Sequence, residues 1–300
     1  MTAERLRVAA ITLDFGNTLV RVGHEGLRSV VEDTADAMVA QGIAPHSAGF
    51  ISAWAEERER QFREDVPEFR ETDIPRRAVR VLARGRGVAP PPTDGRWDDE
   101  AAAREVHPAE VDALADVYSR AFIDRIQPVA DATATLERLS SRGFELAILS
   151  NWPLAVAIDR YVEAHGWRPY LRAVVVSERV GTIKPHPAIF RAAEAALGVT
   201  ALGTPSEGAM NGGGRRSILH VGDDWAADVV GASRAGWRSA YLRHRQSGSP
   251  LPASEPGGAT VAGEEPIAAD IEIDELSELD VLVELDESGA LGPRAAAAPT

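Results

Sequence analysis

Three short apolar runs in this chain end in residues fit for chemistry, and that placement narrows the fold more than any other feature. Residues 8–13 end at Asp14, residues 144–149 at Ser150 and Asn151, and residues 217–221 at Gly222, Asp223 and Asp224. Helical periodicity marks residues 132–142 (stopped by Gly143), 154–165, 187–197 (stopped by Gly198) and 226–235, with further strand-like runs at 173–176 and 237–242. Runs this short and this apolar read as strands buried on both faces. Strands alternating with helices imply a parallel sheet covered on both sides, an α/β doubly wound fold. Ligands in such sheets sit beyond the carboxyl ends of the strands, where Asp14, Ser150 and Asp223 all fall.

Between residues 22 and 126 the pattern changes. Leu27, Val30, Val31, Ala35 and Met38 recur at helical spacing, as do Val111, Leu114, Val117, Tyr118 and Phe122, on either side of a proline- and acid-rich loop at 89–99. The expected organisation is an α/β core of residues 1–21 and 127–245, an inserted helical unit of residues 22–126, and a flexible linker with an acidic C-terminal segment over 246–300. Residues 203–216, with Gly212, Gly213 and Gly214, read as a flexible surface loop. Residues 247–265 read as a loose Pro/Gly/Ser-rich stretch and 289–300 as a frayed tail, with room for a short strand and a helix at 271–285.

The 300 residues carry a formal net charge of -14 and a pI of about 5.0. That balance argues against nucleic acid as a partner, because phosphate backbones need a basic surface. There is no cysteine, so neither a disulfide framework nor a thiolate metal site exists. No apolar run has the length of a membrane span or the pattern of a leader, so cytoplasm is the expected compartment and no membrane partner is expected. Oligomeric state stays open.

Lys184 is the sole lysine among 32 basic side chains, in Gly181-Thr182-Ile183-Lys184-Pro185-His186-Pro187. Arginine fills every other cationic role. A lysine retained against that bias marks a place for a compact ammonium rather than a planar fork, as a crowded phosphate or carboxylate site requires.

A carboxylate can attack an electrophile and form a covalent intermediate. A Mg²⁺ held by carboxylates neutralises an anionic phosphate ester and polarises it. A hydroxyl and an ammonium then hold the oxygens where charge develops. Asp14-Phe15-Gly16-Asn17-Thr18-Leu19, Leu149-Ser150-Asn151, Lys184-Pro185 and Gly222-Asp223-Asp224-Trp225-Ala226-Ala227-Asp228 supply these groups in order, three of the four directly at strand ends. In that order they resemble the haloacid dehalogenase-like hydrolase superfamily. The resemblance implies a Rossmann-like core with a helical cap at 22–126, and a Mg²⁺-dependent phosphatase acting on a small anionic, phosphorylated substrate through an aspartyl-phosphate. It makes Asp14 the nucleophile, Ser150 the phosphoryl-binding hydroxyl, and Lys184 the cation that joins phosphate to Asp14. Asp14, Asp223 and the backbone carbonyl of Gly16 are the implied metal ligands. Asp228 is a further acid of the metal site, either in its outer shell or orienting Lys184, with a plain helix-start role as the alternative. Asp224 is placed to approach the metal through water. Thr18 and Asn151 fall at the substrate, a turn or cap hydroxyl being the alternative for Thr18. Trp152 and Trp225 flank the site as pocket mouth or as core. For Arg58, Arg63, Arg76, Arg77 and Arg80, solvated helix faces paired with acidic neighbours are expected ahead of contact with an anionic substrate.

The chain departs from the family's phosphatase pattern at Gly16, where a second aspartate usually protonates the leaving group and then activates water. Losing a general acid/base costs about 10²–10⁴-fold, and less for an acidic leaving group. Phosphonate cleavage needs a lysine in the cap, which has none. 2-Haloacid dehalogenation uses the same nucleophile but does not keep the acids found here at 223, 224 and 228. A catalytically weakened relative that binds without turnover is the remaining alternative.

Overall fold

A computed structural model describes residues 5–93, 95–198, 217–243, 249–256 and 267–286. The surface loop expected at 203–216 and the tail at 289–300 lie outside the described residues.

Strand β1 (Leu6–Val8) leads into β2 (Ala10–Leu13), every residue of which is buried. After Asp14 the chain leaves the core through β3 (Val20–Arg21), which pairs antiparallel with the returning β4 (Gln127–Pro128). This stalk brackets helices α1 (His24–Ala40), α2 (Ser47–Asp65), α3 (Ile74–Gly85), α4 (Asp99–Arg104) and α5 (Pro108–Arg125). Local signals start them. Asp73 accepts from the Arg76 N–H at 2.8 Å ahead of α3, and His107 forms a reciprocal capping box with Glu110 ahead of α5, each helix also carrying a first-turn proline.

The core resumes with α6 (Ala132–Ser141), β5 (Glu145–Ser150), α7 (Ala155–Ala164), β6 (Leu171–Val176), α8 (Ser177–Val180), α9 (Pro187–Leu197) and β7 (Ile218–Gly222). A π-helical turn (Trp225–Val230) runs into α10 (Gly231–Arg234) where one regular helix was expected, and β8 (Arg238–Leu242) follows. The main sheet is wholly parallel, in the order β6-β5-β2-β7-β8 and then β9 (Ile271–Ile273). β2 lies between β5 and β7, so the crevice where strand order reverses opens beside Asp14.

The C-terminal expectation needs correction. β9 extends the main sheet, and after α11 (Leu279–Leu282) strand β10 (Val283–Leu285) pairs in parallel with β1. Residues 271–285 are part of the core rather than a flexible acidic segment. Ile273, Leu276, Leu279 and Val283 are buried, a periodic apolar face that the acid-rich composition hides.

Aromatic contacts join the two units. Trp54 stacks on Tyr118, Tyr118 on Phe122, and Phe122 meets Trp152 edge-on with centroids 5.2 Å apart. Trp152 in turn meets Phe15, the residue after Asp14, at 5.7 Å.

Candidate active site

The carboxyl ends of β2, β5 and β7 deliver Asp14, Ser150 and Asp223 to one place, and the loop before α9 brings Lys184 to it. The buried Lys184 ammonium donates to Asp14 Oδ1 (2.7 Å), to the Leu149 carbonyl (2.8 Å) and to Asp228 Oδ1 (2.7 Å). Those acceptors use all three donors of an ammonium, a geometry that a planar guanidinium cannot reproduce. Burial works against this charge, but Asp14 and Asp228 outweigh it and raise the lysine's pKa above its ordinary value.

Asp228 sits in the π-helical turn, a local widening that recurs at functional sites. Its Oδ1 takes Lys184 and lies 3.0 Å from His220 Nε2, and its Oδ2 accepts from the Asp224 N–H at 2.9 Å. With both oxygens meeting protein donors, Asp228 is placed to hold Lys184. Burial would raise its carboxyl, but Lys184 and His220 outweigh that and hold it below the carboxylate range. Gly222 is required here: a Cβ at that position would stand 2.1 Å from Asp228 Oδ2.

Burial raises the Asp14 carboxyl to about 6, with Lys184 opposing and Asp228 adding to the rise. Asp14, Asp223 and Asp228 each offer one ligand atom, and these atoms lie within 4.8 Å of one another. Buried hard oxygen donors converging on one spot fit a divalent cation such as Mg²⁺.

The remaining expected residues divide. Ser150 is 1% exposed and, among the described residues, its hydroxyl has no hydrogen-bond partner. It stands one residue past the carbonyl that anchors Lys184. Asn151 lines the cleft and also holds the Lys184 backbone: Oδ1 accepts from the Lys184 N–H (2.7 Å) and one hydrogen of Nδ2 goes to the Lys184 carbonyl (3.1 Å). Thr18 is fully buried and does not line the main cleft. Asp224 caps the π-helical turn, accepting from the N–H groups of Ala226 (3.0 Å) and Ala227 (3.1 Å). Trp152 is core and cleft wall at once, while Trp225 packs edge-on against Tyr241 outside the cleft.

Sequence reasoning missed three contributors. His220, the one polar side chain of β7, bridges Thr12 Oγ1 (2.8 Å) and Asp228; burial first, then Lys184, depress its pKa. A histidine amid the apolar run 218–221 was the available signal. Asn17, in a left-handed turn (φ 60), donates to Asp223 Oδ2 (3.3 Å) and to Ser249 Oγ (3.0 Å). Residues 249–256, expected to be loose, form a strap over the site. Ser254 Oγ donates to Asp224 Oδ1 (2.6 Å) and its carbonyl accepts from the Trp225 N–H (3.1 Å). Leu251 Cδ1 lies 2.5 Å from where a Cβ on Gly16 would fall, so a leucine fills the side-chain space at position 16. No local pattern announces that contact.

A cleft of about 710 Å³ runs from Asp14, Gly16, Lys184 and Asp223 to the cap, where Ile51, Trp54, Phe62 and Tyr118 line it. The cap segment before α3 docks on the core: Phe69 O accepts from the Ile183 N–H (3.0 Å), Pro153 O from the Ile74 N–H (3.1 Å), and Glu71 accepts from the Ser177 hydroxyl. Among the described residues no helix is long and apolar enough to cross a membrane.

These features define a hydrolase of the Rossmann-like type with an inserted cap. The sequence profile of the haloacid dehalogenase-like hydrolases matches residues 8–236, more than half of the chain, and the chain belongs to that family. Among curated relatives, ribulose-1,5-bisphosphate 5-phosphatase of Halopiger xanaduensis is 33% identical over 129 residues, 43% of this chain and 48% of the relative. Glyceraldehyde 3-phosphate phosphatase of Methanopyrus kandleri is 31% identical over 136 residues, 45% of this chain and 52% of the relative. The chain thus spans about half the length of these relatives. Haloacid dehalogenase-like hydrolase domain-containing protein 3 of Bos taurus is 25% identical over 79% of this chain and 82% of its own. In fold, the chain is similar to 2-haloacid dehalogenase from Pseudomonas syringae pv. Tomato DC3000, with a TM-score of 0.57 and 23% identity over 92% of this chain and 98% of that one.

Proposed function

We propose that this hydrolase is a Mg²⁺-dependent phosphatase that cleaves a small phosphorylated metabolite through Asp14. The observation that carries the reading is the Lys184 ammonium bridging Asp14 and Asp228 within a cluster that also holds Asp223. Relatives that act as phosphatases support it. Asp14 attacks phosphorus, and the P–O bond to the leaving group breaks with its electron pair going to the leaving oxygen. Water then attacks the aspartyl-phosphate, releasing dihydrogen phosphate and the Asp14 carboxylate. Lys184 orients Asp14 and sets its positive charge beside the phosphoryl oxygens, and Ser150 supplies its hydroxyl to them. Asp228, His220 and Asn151 position Lys184. Mg²⁺, held by Asp14, Asp223 and the Gly16 carbonyl, supplies charge neutralisation and polarisation of the phosphoryl group when bound. The test is a panel of phosphate esters with and without Mg²⁺, with 2-chloropropionate in the same plate. Chloride release without phosphatase activity would sink the reading.

One observation favours a second reading, a relative that binds phosphate esters and turns over slowly. Leu251, which carries no proton, fills the space where an acid/base side chain at position 16 would project. Rapid-mix kinetics with an aryl phosphate separate the two. A burst of phenolate followed by slow turnover marks the weakened enzyme; fast, steady turnover shows that another group activates water.

A further inference from the structure

Of the cap arginines, Arg77 differs from its neighbours. Arg80 is equally buried but grips Asp99 with two hydrogen bonds (2.7 and 2.9 Å) and also reaches Glu64. Arg76 pairs with Asp65, and Arg58 with Glu59. Arg77 is 4% exposed, and among the described residues no carboxylate forms an ion pair with it. Its Nε–H donates to the Gln61 side chain (3.0 Å), and its guanidinium carbon lies 5.1 Å from the Trp54 ring centroid. These contacts fix the plane and engage one of five donors. The side chain lines the same cleft as Asp14 and Lys184.

A cation this buried destabilises the fold unless an anion answers it. Burial pulls the Arg77 pKa down to about 10, with Tyr118 the largest opposing influence. Glu71, on the same wall, does not neutralise it. Both Glu71 oxygens accept from Ser177 and Thr72, and burial pushes its carboxyl up to about 7, so it is only partly ionised at neutral pH.

We infer that Arg77 binds a second anionic group on the leaving-group side of the substrate, so that the preferred substrate is a phosphate ester carrying a carboxylate or a further phosphate. The inference rests on the phosphatase reading for which group sits at Asp14. A guanidinium with open donors matches either anion through paired N–H···O contacts. The aromatic wall beside it takes the ester's carbon skeleton.

Three esters on one three-carbon skeleton test this: 3-hydroxypropyl phosphate, 3-phosphooxypropanoate and 1,3-propanediol bisphosphate. Wild type should favour at least one doubly anionic ester over the neutral one by about tenfold or more in kcat/KM, as expected for a charge-assisted hydrogen bond. Which of the two wins names the anion. In Arg77→Gln, whose amide can still donate to Gln61, the ratio should fall towards one, and Arg77→Lys should retain part of it. A ratio near one in wild type, or an unchanged ratio in folded Arg77→Gln, overturns the proposal. Calorimetric binding of the same esters is the second readout. If no ester is hydrolysed, the phosphatase reading fails, and binding that depends on both the second anion and Arg77 still upholds the inference; binding indifferent to either overturns it.

Discussion

Two clusters of buried charge can be set side by side, one in the cap and one in the core. In the cap, the fully buried Glu57 accepts from Arg84 (3.0 Å) and from the Trp97 indole (2.7 Å), with Arg60 at 3.5 Å and Arg80 at 3.9 Å. Arg60 also donates to the carbonyls of Pro91, Pro92 and Gly95. Each acid there is met by arginine forks that span several acceptors. In the core, Asp14 and Asp228 share the Lys184 ammonium, and Asp223 converges with them where the cleft opens. A cluster that closes on itself holds structure together. One that opens on a cleft can be completed by something from outside, and so can do chemistry.

The sharpest way to break the core cluster is to remove Asp14, the proposed nucleophile. Asp14→Asn should abolish turnover by about 10⁴-fold or more and leave no phosphorylated protein after aryl phosphate, read by mass spectrometry. Lys184→Arg keeps the charge but not the three-donor geometry, and should cost about 10²-fold or more in kcat/KM with the circular dichroism spectrum unchanged. Wild-type activity in that variant would show that charge alone suffices.

The space at Gly16 tests whether the core lost only a proton carrier. Gly16→Asp meets Leu251, so the single variant should gain little. Paired with Leu251→Ala it should speed breakdown of the proposed aspartyl-phosphate by up to about 10²-fold, measured as the slow phase after a burst.

The cap cluster should answer in stability instead. Glu57→Ala strands buried arginines and should lower unfolding free energy by about 3 kcal/mol or more in denaturant titration, while Mg²⁺ affinity at the proposed site of Asp14 and Asp223 stays at the wild-type value. A lost metal affinity would mean that the two clusters are coupled.

The smallest expected effect is the pH response of the contact that docks the cap. Burial raises the Glu71 carboxyl from 4.5 to about 7. Below 4.5 it is protonated in both folded and unfolded chains, and its stabilising share is fully present. Between 4.5 and about 7 the unfolded chain releases the proton first, so stability falls as pH rises; above about 7 the slope vanishes. Glu71→Gln should flatten stability against pH across that window, and an unchanged slope would assign it to another group.

Much of this was legible in one dimension. The parallel sheet, the helical insertion and the strand-end placement of Asp14, Ser150 and Asp223 followed from apolar period, and the isolation of one lysine singled out Lys184. Those signals are local, because burial on a strand and the turn at its end depend on near neighbours. The tertiary structure decided what depends on contacts between distant residues. It tied the Asn151 amide to the Lys184 backbone, gave both oxygens of Asp228 protein donors, and brought His220 between Thr12 and Asp228. It set Leu251 against Gly16 from far along the chain and built residues 271–285 into the core. Arg77 and Arg80 are one helical turn apart and chemically the same in sequence; only the fold gives one its acids and leaves the other facing the cleft. Residue type fixes what a group can do, whereas its partners are set by chain segments that no local pattern brings together.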